Sequence, residues 1–258
     1  IFRWLCDQEK CIPSAETLGQ ASGSGTYIPL TRLLVNRIRA EAREGFVHHG
    51  EIIENESSRI AGVLTRHSQC EVNSTLTYAL REIFRNVVEH GQASHIWYAA
   101  QYWPTKSRVE IGILDEGVGL LRSLNRNPKL CVSDDRQATF LALQPGVSGV
   151  EKGKRRRSDG DWVNSGYGLF MTSSLCQFGG SFHLLSGRSA VRLVGEKADF
   201  FECSYDGVAI RLELDTSRIR ALNESLEEIR KRGEKMATEL GTGDTELTAS
   251  KMSRMLSK

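Results

Sequence analysis

The chain has 258 residues, of which 40% are hydrophobic and 26% charged, and its formal net charge is +2. This length supports one sizeable hydrophobic core with smaller appendages, and the composition argues against a disordered or fibrous protein. A net charge so close to zero creates no strong field, so charge alone predicts neither a nucleic-acid nor a membrane partner.

Cysteine usage and hydrophobicity indicate the compartment. The six cysteines are scattered without a C-x-x-C pair, which is typical of reduced thiols in a cytoplasmic protein. No apolar run approaches the roughly 20 residues that a membrane-spanning helix needs, and the first residues lack the order of a signal peptide. We therefore expect a cytoplasmic protein with no membrane partner.

Residues 1–70 are predicted to form a mostly helical appendage or partner-binding region. Apolar residues recur at helical spacing from Leu30 to about Gly45, and a second helix is predicted from about Gly50 to Leu64. Several arginines lie between the apolar positions of the first helix. They would suit a basic binding face, but a solvated helix face is the more common arrangement and is favoured here.

A strong amphipathic helix is predicted from the cap residues 73–75 to about His90. Glu82, Asn86 and Glu89 are spaced i, i+4 and i+7, so they share one face beside the apolar stripe. Three polar residues in this arrangement are also what a solvent-exposed helix edge without any function would show. Taken alone, the helix therefore identifies no site.

The two alternating segments that follow, 95–102 and 108–114, are predicted to be strands. The second strand leads into a D-x-G-x-G turn formed by Asp115, Gly117 and Gly119. Glycines after a strand are common in any turn, so this motif is also weak by itself.

A helix predicted at 134–143 is followed by a long stretch, 145–165, that is rich in glycine, serine and charge. This stretch lacks apolar periodicity and is predicted to be a loop. Its basic run, Lys152 to Arg157, would suit phosphate or nucleic acid. Such runs are more often solvated loop tips, so nucleic acid is not the favoured partner.

Gly166 and Gly168 then open an apolar helix that runs to about Phe178. Glycines at a helix N-terminus leave backbone N–H groups free to face an anion. Four short strands separated by glycine turns are predicted before residue 215, completing an antiparallel sheet. Residues 216–258 predict a C-terminal helix and a loose tail; the helix either pairs with a second copy or packs on its own domain.

The order of these motifs is more specific than any one of them. A helix carries E-x-x-x-N-x-x-E-H-G, a strand ends in D-x-G-x-G, a long loop follows, and G-x-G opens a helix. Over about residues 71–215 the sequence resembles the GHKL-type ATP-binding domain (the Bergerat fold) of gyrase, sensor histidine kinases, mismatch-repair ATPases and anti-sigma-factor serine kinases. The resemblance implies an α/β two-layer sandwich. Helices would cover one face of a mixed, mostly antiparallel sheet, with extra N-terminal helices and a C-terminal helix.

The resemblance also implies an ATP site between the helices and a lid at about 145–165. Asn86 would hold Mg²⁺ shared with phosphate oxygens, because a neutral side-chain oxygen suits this hard cation. Asp115 would accept a hydrogen bond from the adenine amine. Glycines would let the backbone approach the nucleotide or present N–H groups to its phosphates. These glycines are Gly117, Gly119, Gly146, Gly166 and Gly168.

Glu82 decides which reaction the resemblance implies. A glutamate at this place is the general base of gyrase-like ATPases, and the anti-sigma-type kinases also carry it, whereas many sensor histidine kinases have asparagine. Mg²⁺-dependent ATP hydrolysis, with lid closure signalling to a protein partner or to a second subunit of a homodimer, is the favoured hypothesis. The alternative is a serine or histidine protein kinase, and a non-enzymatic nucleotide-binding module is least favoured.

Overall fold

The computed structural model describes residues 23–65, 71–150, 166–177, 179–218 and 222–240. Its five strands are β1 (Tyr27–Leu34), β2 (His95–Trp103), β3 (Arg108–Asp115), β4 (Gly180–Val194) and β5 (Lys197–Asp215). They form one sheet in the order β1-β2-β3-β5-β4. Every neighbouring pair of these strands is antiparallel.

Seven helices accompany the sheet in the described residues: α1 (Val35–Glu44), α2 (His49–Thr65), α3 (Glu71–Asn86), α4 (Gly119–Leu124), α5 (Asp135–Ala142), α6 (Gly168–Gln177) and α7 (Leu222–Glu239). A π-helical turn, Val87–Gly91, extends α3, and a 3₁₀ turn, Pro104–Lys106, joins β2 to β3. Ile111 and Ile113 of β3 belong to the same buried core as Phe84 of α3.

The two-layer α/β sandwich predicted from the sequence is confirmed. The strands predicted at 95–102 and 108–114 are β2 and β3, and the helix predicted at 134–143 is α5. In each of these segments the apolar residues follow one clear period, so local pattern and tertiary packing agree. Among the described helices, none has the length and apolar character needed to cross a membrane.

The N-terminal region departs from its prediction. Tyr27–Leu34 is a strand that pairs with β2, whereas apolar spacing predicted a helix from Leu30. The helix α1 begins only at Val35, whose N–H donates to the carbonyl of Ser94 at 3.0 Å. Pairing with the edge of β2 outweighs the local pattern, because strand formation depends mainly on neighbouring strands. The sheet therefore includes a strand from outside the range 71–215.

The second half of the sheet is simpler than predicted. Two long strands, β4 and β5, replace the four short ones. The ladder shifts register on both sides of Gly187, where φ is +61°, and the chain passes Gly207 with φ of +119°. Glycine turns were predicted between short strands, but these two glycines lie inside strands. A β-bulge uses the same positive-φ freedom as a turn, so glycine suits either one.

The C-terminal helix α7 packs on its own domain, which is one of the two arrangements that the sequence left open; pairing with a second copy stays a prediction. Gly233 lies inside α7, and a Cβ atom there would come within 2.6 Å of the Phe170 ring of α6. The Arg232 guanidinium lies 5.9 Å from the centre of the same ring. The absent side chain of Gly233 thus allows close helix contact. The tail predicted after α7 lies outside the described residues.

Candidate functional site

A cavity of about 820 Å³, counted with the part open to solvent, lies between α3, the turn after β3, α4 and the start of α6. Its walls are mostly apolar. Five residues predicted from the three motifs line it together: Asn86, Asp115, Gly119, Gly166 and Gly168.

Asp115 ends β3 and is only 1% exposed. Its Oδ1 accepts a hydrogen bond of 2.8 Å from the N–H of Gly117. Burial raises the pKa of Asp115 to about 6, although hydrogen bonds from the N–H groups of Gly117 and Val208 oppose the rise. The carboxyl is thus a buried acceptor held by backbone donors, at the closed end of the D-x-G-x-G turn.

This turn is fixed against the end of α3. A Cβ atom on Gly117 would lie 2.1 Å from the carbonyl oxygen of Gly91, so only glycine fits there. The same carbonyl accepts a 2.8 Å hydrogen bond from the N–H of Val118. Gly119 has φ of +72°, which also favours glycine. Gly117 therefore supports the turn from behind and does not line the cavity.

Two hydroxyl groups that were not predicted hold the turn from the other side. The buried Ser186 Oγ accepts from the N–H of Leu120 at 2.9 Å and donates to the carbonyl of Gly207 at 2.8 Å. The Tyr205 hydroxyl donates to the backbone carbonyl of Asp115 at 2.8 Å. Their sequence signal is weak: each hydroxyl residue lies one or two positions from a bulge glycine.

Helix α3 begins at Glu71, before the predicted cap residues 73–75, and Asn86 is its last residue. The wider π-helical turn that follows brings His90 to the cavity wall as well. Glu89 points away into an ionic cluster. Burial raises its pKa, but the His49 ring, with Nε2 3.8 Å away, and the Arg85 guanidinium, whose Nε donates at 2.7 Å, outweigh this effect and lower the pKa to about 2.

Glu82 is buried immediately behind the cavity wall. Its Oε1 accepts from Nε and Nη2 of Arg81, both at 3.3 Å, and lies 3.8 Å from Nη1 of Arg85. Its Oε2 faces Gly168, where a Cβ atom would come within 2.6 Å of that oxygen. Gly168 lines the cavity, so one residue without a side chain separates the carboxylate from it. Sequence reasoning missed both arginines.

The ends of the predicted lid meet at one point. The N–H of Gly146 donates to the carbonyl of Gly166 at 3.0 Å, and the two residues have φ of +77° and +75°. Gly166 lines the cavity, whereas Gly146 supports it from behind. The basic run 152–157 lies outside the described residues, so its possible binding of phosphate or nucleic acid stays a prediction.

The part of the chain that the structure describes contains no group of three His, Cys, Asp or Glu residues arranged to hold a metal ion. Mg²⁺ needs no such cage when it is shared with a substrate, because it keeps several waters and takes phosphate oxygens as ligands. Asn86 places one amide group on the cavity wall. This donor set suits Mg²⁺ carried by a nucleotide better than a resident transition metal.

Comparison with known proteins adds no family. A scan against protein-family models finds no match to this chain, and a search of curated proteins also finds none.

Proposed function

We propose that this chain is a Mg²⁺-dependent ATPase of the GHKL type. One observation carries the proposal: Asn86, Asp115, Gly119, Gly166 and Gly168 come from three separate stretches of sequence, and all line one cavity. Stability alone gives no reason for a buried carboxyl and positive-φ glycines to meet around empty space. A bound nucleotide does give one, because each of these residues has a role toward it.

The adenine ring is assigned to the end of the cavity beside Asp115. Ile113 and Ile210 line this part of the molecule and offer flat apolar contact. One oxygen of Asp115 is occupied by the Gly117 N–H. The other would accept from the exocyclic amine of adenine, and guanine would be rejected because it presents an acceptor in the same position.

The phosphates are assigned to the start of α6. The first N–H groups of any α-helix have no partner within the helix, so those of α6 would face the phosphate oxygens. Asn86 lies on the same cavity and would hold Mg²⁺ through its amide oxygen. Bound Mg²⁺ would neutralise charge that develops on the phosphate oxygens.

Glu82 is assigned as the general base. It would take a proton from a water molecule as the water oxygen bonds to the γ-phosphorus. The bond from that phosphorus to the β,γ-bridging oxygen would break, and ADP would leave. Support comes from the position of Oε2 against Gly168, on the side of the site assigned to the phosphates.

Lid movement would report the nucleotide state to a protein partner or to a second copy of the chain. The segment from Gly146 to Gly166 begins and ends at the cavity edge, which places its ends where bound phosphate would act on them.

We also assign the protein to the cytoplasm. In the described part of the chain Cys131 and Cys176 are free thiols, in keeping with a reducing compartment.

Purified protein tests the proposal directly. Calorimetry should detect ATP binding with Mg²⁺ and much weaker binding of GTP. With γ-labelled ATP, free phosphate should accumulate over many turnovers and stop when EDTA removes Mg²⁺. Label transferred to this chain or to an added partner protein would favour the kinase instead. Absence of ATP binding at millimolar concentration would overturn both.

A further inference from the structure

We infer that Glu54 of α2, acting through Arg81, is a positioning residue for the carboxylate of Glu82. The inference rests on the proposed function, because Glu82 is the general base assigned there. It adds a residue from outside the range 71–215 that carries the motifs. Arg81 is held by contacts from more than one helix.

Arg81 is contacted from three directions. Its Nη1 donates to Glu54 Oε2 at 3.1 Å, and its Nε and Nη2 both donate to Glu82 Oε1 at 3.3 Å. The guanidinium also lies 5.2 Å from the centre of the Tyr78 ring. The side chain of Arg81 is 5% exposed and that of Glu54 is 39% exposed. The guanidinium is therefore a buried charge in a fixed place, anchored at its outer end by Glu54.

The contact between Arg81 and Glu82 requires such an anchor. Neighbouring residues on an α-helix point in different directions, so they do not normally pair. Arg81 nevertheless contacts Glu82 Oε1 through both Nε and Nη2. Glu54 comes from a different helix and binds Nη1, so it favours the side-chain conformation in which Arg81 makes this contact.

Loss of Glu54 would remove the ion pair at Nη1 of Arg81. The guanidinium, and with it the Glu82 carboxylate that it contacts, would then be held less rigidly toward Gly168.

Two matched variants test the inference: Glu54→Gln, and Glu51→Gln, which makes the same change at an exposed residue of the same helix. We expect Glu54→Gln to lower kcat about threefold to tenfold, as suits a partly exposed ion pair acting through a neighbour. The Kd for ATP should change less than twofold, because Glu54 does not line the cavity. Glu51→Gln should leave both values unchanged.

A second comparison separates positioning from a general loss of structure. Adding Glu54→Gln to Glu82→Gln should not lower the residual turnover further, because the residue through which Glu54 acts has lost its role. A further drop of the same size would overturn the inference, as would equal kcat values for Glu54→Gln and Glu51→Gln. If the unaltered protein binds no ATP, the proposed function falls and the inference falls with it.

Discussion

Two buried carboxyl groups lie beside one cavity, and their surroundings are opposite in kind. Asp115 is held by backbone N–H groups in an apolar pocket, and burial raises its pKa to about 6. Glu82 lies between two guanidinium groups, Arg81 and Arg85. One carboxyl thus has backbone donors and a raised pKa, and the other is paired with arginines.

The difference matches what each group would have to do. A carboxyl that reads the neutral amine of adenine should have no cation nearby, because an arginine would bind it more strongly than the amine could. A base beside triphosphate has the opposite need. Arginines offset the repulsion between its charge and the phosphates, and they hold it in one orientation.

The most direct test of this difference between the two carboxyl groups is to remove the charge of Glu82. Glu82→Gln keeps an acceptor for Arg81 but cannot take a proton, so we expect turnover to fall by about 10²- to 10³-fold. The Kd for ATP should stay within about twofold, since Glu82 acts on the attacking water rather than on the nucleotide. Phosphate release and calorimetry measure the two values. If turnover survives, the general base lies elsewhere.

The matching change at the other carboxyl group is Asp115→Asn. Its oxygen would still accept from the Gly117 N–H, so its NH₂ group would face the adenine amine, and two donors would meet. We expect the Kd for ATP to rise about 10- to 100-fold, as suits a buried unmatched polar contact. Glu116→Gln, at the exposed neighbour, is the control. An unchanged affinity would contradict the adenine assignment.

The pH dependence of stability tests the raised pKa of Asp115 without any ligand. The folded chain binds this proton more tightly than the unfolded chain, so ionisation costs stability above pH 6. Asp115→Asn should therefore raise the free energy of unfolding by about 2 kcal/mol at pH 8, and the gain should shrink as pH falls through 6 toward 4. Urea titrations at several pH values measure it. A gain that grows toward low pH would have the wrong sign.

A smaller effect is expected at Gly168, where the backbone separates Glu82 from the cavity. In Gly168→Ala, the new methyl group would lie 2.6 Å from Glu82 Oε2 and displace the carboxylate. We expect turnover to fall about tenfold, because a base displaced by about 1 Å loses alignment. Gly25→Ala, where the methyl would enter open space, is the control. Equal turnover in the two variants would show that this contact has no role.

Much of the fold follows from local sequence, but β1 does not. Leu30, Leu33 and Leu34 have helical spacing, yet they lie on an edge strand. A register shift between Ile28 and Thr31 breaks the alternation that would have identified a strand. The deciding interaction is pairing with β2, more than sixty residues away in sequence, which no local period contains.

The site shows the same limit. Asn86, Asp115 and the cavity glycines belong to short motifs, so sequence could find them. Arg81 is adjacent to Glu82 in sequence, and on a helix adjacency suggests different directions rather than contact. Glu54, on another helix, binds Nη1 of Arg81 while Nε and Nη2 contact the carboxylate. A contact that depends on two helices leaves no pattern in either one of them.

The close approach of Gly117 to the carbonyl of Gly91 has an evolutionary consequence. The turn motif and the helix motif, which a sequence search scores independently, meet at this point. A Cβ atom on Gly117 would lie 2.1 Å from the carbonyl oxygen of Gly91. A relative with a side chain at the position of Gly117 must have a displaced helix end at Gly91. We expect the two positions to change together, so scoring them as a pair would distinguish true relatives from chance matches to either motif.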